Sequence, residues 1–300
     1  MKKILYIIFL GISLSQYAPA FDEEKAFEFL LKQCSFGPRY PGSSGHLNFK
    51  DYLIKYLNNY SDNVKVMEHD YKHPYEDKYI KFYNILSQYN IESDNRILLM
   101  AHWDTREIAD KEKEVINQNK PIIGANDGAS GIAILMLFAE ILSKNNLNNI
   151  GVDLLFVDGE DMGRNGELNN FCLGSKLFAK SMKYKVPKFA ICLDMVADKD
   201  PEFKMEYFSY LQAPKELFAI WDLANELGYT EFTYDMTGPI YDDHRAFYNE
   251  TGIPSIDIID FDYPYWHTLE DTPDKCAAST LKIVGDVVLE YIFRLDNKDE

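Results

Sequence analysis

Asp127, the adjacent pair Glu160 and Asp161, and His267 lie far apart in the chain, yet each ends or follows a stretch that reads as a strand. Three carboxylates and one imidazole, gathered, are the donor set of a catalytic zinc ion. A structural zinc closes its tetrahedron with four thiolate or imidazole ligands, whereas a catalytic one keeps a position free for water or substrate. Glu160, beside the ligand candidate Asp161, is a spare acid placed to move a proton.

Each piece alone has an ordinary reading. Asn126-Asp127-Gly128 is a turn signal, and Asp127 can simply cap the helix that follows. Glu160 and Asp161 can form a solvated loop, Asp194 a cap, and His267 beside Trp266 a packed histidine. Together these readings weaken, because buried strand ends rarely carry several uncompensated acids. Gathered carboxylates repel and raise one another's pKa values unless a cation sits among them. Imidazole with few oxygens favours zinc over calcium or magnesium.

The elements that must position these groups are legible. Phe49, Leu53, Tyr56, Leu57 and Tyr60 recur at helical spacing. Short apolar runs at 96–101, 152–157, 189–193 and 255–259 read as buried strands, ending near His102, Glu160-Asp161 and Asp194 and ahead of His267. Helices are expected over 128–142, over 215–227 with a stop at Gly228, and over 280–295. Strands alternating with helices imply one α/β domain, with a twisted, mostly parallel central sheet covered by helices on both faces. Ligands of such sheets bind outside the carboxyl ends of the strands, where these residues converge.

The first twenty residues form a separate unit. Lys2 and Lys3 precede an apolar run, and Ala18-Pro19-Ala20 offers a small-x-small cleavage site. Residues 1–20 therefore read as a signal peptide cleaved near Ala20, with the catalytic domain over 21–300 and a secreted or periplasmic destination. The apolar stretch is too short for a stable membrane span. A net charge of -17 argues against nucleic acid, whose phosphates would be repelled. No C-x-x-C occurs among Cys34, Cys172, Cys192 and Cys276, which disfavours a cysteine zinc site, and any disulfide connectivity stays open. A Gly-rich phosphate loop is also missing, which removes the nucleotide-binding reading of an α/β sheet.

Seven segments then recur in a familiar order: AHWDTR (Ala101 to Arg106), GANDGASG (Gly124 to Gly131), FVDGED (Phe156 to Asp161), CLGS (Cys172 to Ser175), LDMV (Leu193 to Val196), DDH (Asp242 to His244) and YWHT (Tyr265 to Thr268). With FGPRYPGS (Phe36 to Ser43), they resemble the M28 metallopeptidase superfamily, most of all its glutaminyl-peptide cyclotransferase branch of the animal and bacteroidete type. The resemblance spans nearly the whole chain after the leader. It implies an M28 aminopeptidase-like fold and cyclisation of the N-terminal glutamine of peptides or proteins, with release of ammonia. The alternative it leaves open is a secreted aminopeptidase using two zinc ions and water. A catalytically dead receptor-type domain is disfavoured by the intact acids and histidine.

By this resemblance one zinc is held by Asp127, Asp161 and His267. Glu160 shuttles the proton, and Asp194 with Asp242 forms an acid network. His102 and Asp194, with Asp127, would hold a second zinc in an aminopeptidase. Asp242 and Trp266 are cyclase-like, and Trp103, Trp266 and His244 are expected around the substrate pocket. Asp161 stands where the animal enzymes have Glu, a form common in bacterial members. The tryptophan those enzymes carry shortly after this pair has no match in 162–170. The chain is expected to act as a monomer.

Overall fold

The structure is a computed structural model that describes residues 17–61, 63–182 and 186–297. Most of the expected signal peptide, residues 1–16, lies outside the described residues. Tyr17 and Ala18, just ahead of the expected cleavage point, donate their backbone N–H groups to Glu290 at 3.0 and 2.9 Å.

A six-stranded sheet organises the domain. The four apolar runs form β3 (Arg96–His102), β4 (Gly151–Val157), β5 (Phe189–Asp194) and β8 (Ser255–Ile259). They lie in the order β4-β3-β5-β8 and pair in parallel. All are buried along their length, because helices cover both faces and leave no solvated side to alternate with. Two strands that the sequence reading did not foresee extend one edge. β1 (Val64–Lys72) and β2 (Tyr79–Tyr89) pair antiparallel with each other, and β2 pairs antiparallel with β4. A small separate sheet joins β6 (Phe203–Met205) to β7 (Phe232–Met236).

The helices α1 (Glu23–Cys34), α3 (Ala129–Lys144) and α8 (Ala278–Asp296) pack together over one face. α3 is buried from Ala129 through Leu142, as a helix that is apolar all round must be. Gly131 allows its close approach to the sheet, since a Cβ there would lie 2.2 Å from the Leu193 carbonyl oxygen. α4 (Leu173–Ser181) and α7 (Asp243–Thr251) pack against each other, and α7 also lies on β5 and β8. α2 (Ser44–Leu57) buries Phe49, Leu53 and Leu57, as its spacing predicts. α5 (Tyr207–Gln212) and α6 (Pro214–Glu226) complete the helices used below. No helix among the described residues is long and apolar enough to cross a membrane.

Parallel pairing places the carboxyl ends of β3, β4, β5 and β8 at one edge. His102 ends β3, Asp194 ends β5, and the loop after β4 carries Glu160 and Asp161. The loop after β8 carries His267, and Asp127 directly precedes α3. Glycine is required at the α3 entry: Gly128 has φ 104, and a Cβ would meet the Asp104 carbonyl oxygen at 2.6 Å.

Candidate active site

The widely spaced residues meet. Donor atoms of Asp127, Asp161 and His267 all lie within 4.8 Å of one another, and all three residues are buried. His267 Nε2 is 3.5 Å from Asp127 Oδ2 and 3.3 Å from Asp161 Oδ1. A second group shares Asp127: His102 Nε2 lies 3.2 Å from Asp127 Oδ1 and 3.1 Å from Asp194 Oδ1.

The two groups differ in what their atoms already touch. His102 is engaged from both ring nitrogens, with Nδ1 3.2 Å from the Asp104 carbonyl and Nε2 on Asp194. In the other group, Asp127 Oδ2 and Asp161 Oδ2 are buried without a hydrogen-bond partner. Orphaned buried carboxylate oxygens are costly unless a cation meets them. The set of Asp127, Asp161 and His267 therefore fits a zinc ion by donor type, spacing and unmet need.

Electrostatics give the same picture. Burial, and then the Asp161 charge, push the Asp127 carboxyl up to about 6. Burial and the neighbouring Asp161 hold Glu160 well above its ordinary range. His267 is raised to about 9: burial opposes its charge, but Asp161 and Asp110 outweigh that. For Asp161, burial raises the carboxyl, but His267 and Arg106 bring it below its usual value. Arg106 donates to Asp161 Oδ1 at 2.7 Å and leaves Oδ2 free.

Supporting groups not singled out from sequence hold these side chains. Asp110 Oδ1 lies 3.3 Å from His267 Nδ1, and both Asp110 oxygens accept from Arg106 at 2.8 Å. A carboxylate behind a histidine fixes its tautomer and ring orientation for a metal. Asp104 accepts the backbone N–H groups of Glu160 and Asp161, and Asp271 those of Asn126 and Asp127. Asp104 stands two residues past His102, and Asp271 four past His267, so proximity to a ligand candidate was their only signal. Asp257 had a better one: it is an acid inside the buried apolar strand β8.

Asp194 and Asp242 both line the cavity, and the Asp242 charge raises Asp194, after burial and against the pull of His102. Burial, and then the Asp242 charge, raise the Asp257 carboxyl well above its ordinary range, and Asp242 takes the Cys192 thiol on Oδ2 at 3.2 Å. The acid network thus extends inward beyond the expected pair.

The cavity these groups share measures about 210 Å³. That equals roughly seven water volumes, enough for one amino-acid side chain. Trp266 forms part of its wall, stacked on His267 with ring centroids 3.9 Å apart and packed against Phe261 at 5.0 Å. Trp103 does not line it. That indole is fully buried, stacked on His46 at 4.5 Å, with its N–H on the Tyr83 carbonyl at 3.3 Å. Side chains alternate across a strand, so His102 faces the cleft and its neighbour faces α2. His244 is also displaced from the expected pocket. It is fully buried, with Nε2 3.0 Å from Glu206 and Nδ1 3.4 Å from Asp257. All four cysteines are free thiols.

Backbone strain concentrates here. Among the described residues, four non-glycine residues have positive φ, and three of them, Cys172, Met195 and His267, border the site. Such conformations persist only where the surrounding structure enforces them.

A carboxylate–imidazole centre at the carboxyl edge of an α/β sheet defines a metal-dependent enzyme. Residues 84–292 match the description Peptidase family M28, and the chain belongs to that family. It is 26% identical over 294 residues to the glutaminyl-peptide cyclotransferase of Bos taurus, covering 85% of this chain and 78% of the relative. The crystal structure of Bacteroides thetaiotaomicron glutaminyl cyclase bound to N-acetylhistamine superposes with a TM-score of 0.88 at 34% identity, covering 94% of this chain and 100% of that one. A Zn-dependent exopeptidase from Parabacteroides distasonis gives 0.89 at 32% identity, over 94% and 100%.

Proposed function

We propose that this chain is a zinc-dependent glutaminyl-peptide cyclotransferase that converts the N-terminal glutamine of peptides or proteins to pyroglutamate and releases ammonia. The observation that carries this is a small, aromatic-walled cavity in which an unpaired-oxygen zinc set sits beside Glu160 and Asp242. Similarity to glutaminyl cyclases over nearly the whole chain supports it. One zinc is assigned, held by Asp127, Asp161 and His267, because the orphaned oxygens belong to that set. His102 and Asp194 satisfy each other instead. The leader-like residues 1–20 support export to the periplasm or beyond.

Bound zinc would supply Lewis acidity toward the γ-carbonyl of the substrate glutamine. The chain's own residues do the rest. Glu160, raised by burial and crowding, takes a proton from the attacking α-amine and delivers it to the departing amide nitrogen. One carbon–nitrogen bond forms as another breaks, and ammonia leaves with the transferred proton. Asp242 and Asp194 accept N–H groups of the amide nitrogen and orient it. Trp266 covers the flat side chain and keeps water from competing with the amine. The attack occurs within one residue, so holding the folded-back conformer yields much of the rate.

A paired assay on Gln-initiated peptides tests the reading. Ammonia release with formation of the cyclised peptide, abolished by a chelator, is expected. Release of free glutamine would instead identify a two-zinc aminopeptidase.

A further inference from the structure

Two carboxyls line the cavity without belonging to the assigned zinc set, to its Asp110–Arg106 support or to the His102 neighbour group: Glu160 and Asp242. Each has a buried thiol against it. Cys172 Sγ lies 3.3 Å from Glu160 Oε1, and Cys192 Sγ lies 3.2 Å from Asp242 Oδ2. Both cysteines are buried and neither forms a disulfide. Burial raises both thiols well above their ordinary range, so each carries its proton and donates it.

Cys172 also holds Glu160 through the backbone. It adopts the left-handed conformation (φ 55, ψ 37) at the start of α4, and its N–H donates to the Glu160 carbonyl at 2.8 Å. The next residue, Leu173, donates to the Gly159 carbonyl at 3.0 Å. Backbone and side chain of one strained residue thus fix both ends of Glu160. Among the described residues, the thiol is the hydrogen-bond donor that reaches the Glu160 carboxyl.

The choice of sulfur has a chemical consequence. A carboxyl that must accept a proton and return it needs to be aimed without being stabilised as an anion. Strong N–H or O–H donors favour the charged form and weaken its grip on a proton, whereas S–H is a weak donor. We propose that Cys172 is a positioning residue whose S–H aims the Glu160 carboxyl at the reacting amine, with Cys192 acting likewise on Asp242. This rests on the reading of Glu160 as the proton carrier. The competing account is that both cysteines are small buried hydrophobes, exchangeable for any side chain of similar size.

The test uses the zinc-loaded enzyme and a Gln-initiated peptide. Cys172→Ala should lower kcat by about 5- to 10-fold, the worth of one net hydrogen bond, with KM and zinc content within about twofold of wild type. Cys172→Ser restores a donor and should recover at least about half of the lost kcat. Wild-type kcat in Cys172→Ala overturns the proposal, as does an equal fall in both variants. The infrared S–H stretch reads the contact with every cysteine intact: Glu160→Gln should move one thiol band, and an unchanged spectrum contradicts the pairing. Glu160→Gln also separates the two claims. Full turnover in that variant defeats the proton-carrier reading itself, whereas slow turnover beside a normal Cys172→Ala defeats only the thiol assignment.

Discussion

Asp104 and Asp271 act as matching clamps, each accepting two successive backbone N–H groups from a loop that bears a site carboxylate. Asp104 takes Glu160 and Asp161 at 3.0 and 3.2 Å, and Asp271 takes Asn126 and Asp127 at 2.8 and 3.1 Å. Tyr263 donates its hydroxyl to Asp271 Oδ1 at 2.9 Å. Two loops from distant parts of the chain are thereby fixed relative to one sheet. Asp271→Ala should weaken zinc binding by about 10- to 100-fold, the usual worth of a supporting partner. Competition against a chelator of known affinity measures this, and an unchanged zinc affinity would remove Asp271 from the account.

Glu160→Gln keeps the size and polarity of the side chain and removes only its proton chemistry. Turnover should fall by roughly 10²- to 10⁴-fold. Zinc content by elemental analysis should stay at the wild-type level, because Glu160 lies outside the ligand set. A variant that loses its zinc together with its activity would make Glu160 a ligand.

The two tryptophans flanking the histidines should separate cleanly. Trp266→Ala opens the cavity wall, so kcat/KM for Gln-peptides should drop by at least about tenfold, or about 1.4 kcal/mol, with small change in thermal stability. Trp103→Ala instead leaves a hole beside His46, at about 3–5 kcal/mol of stability. Its KM, measured below the unfolding range, should hold. Matching kinetic defects in both would return Trp103 to the pocket.

Stability should respond to pH through Asp260, just past β8. Burial, and then the charge of Asp198, push its carboxyl up to about 7. The folded chain therefore keeps a proton that the unfolded chain releases near its ordinary value of about 4. The unfolded state binds fewer protons in that window, so this contribution is fully present below about pH 4 and is lost as pH rises toward about 7. Asp260→Asn should flatten the fall of Tm across that range. Parallel Tm curves for the two proteins would show that Asp260 does not titrate with folding.

Much of this site is legible in the amino-acid sequence. Buried apolar runs such as RILLMA and VDLLFV declare themselves because a sheet covered on both faces needs no alternation. Asp127, Asp161 and His267 follow from them as loops at one edge. β1 escaped notice because its side chains are only partly buried, and VKVMEHDYK shows no clear apolar face. Trp103 was misplaced because adjacency to His102 in sequence becomes opposition across a strand. His244 was misplaced because its motif neighbour Asp242 faces the cavity, while the first turn of α7 carries the imidazole inward. Asp110 meets His267, and Asp271 meets Asn126 and Asp127, across more than a hundred residues of chain, and no local pattern marks such pairings.

Zinc titration of the metal-depleted protein, followed by ammonia release from a Gln-initiated peptide, tests the central assignment most directly. Activity should climb to its maximum at one zinc per chain, and Asp161→Ala should abolish the response. Activity that requires a second equivalent, accompanied by free glutamine in place of ammonia, would contradict the assignment.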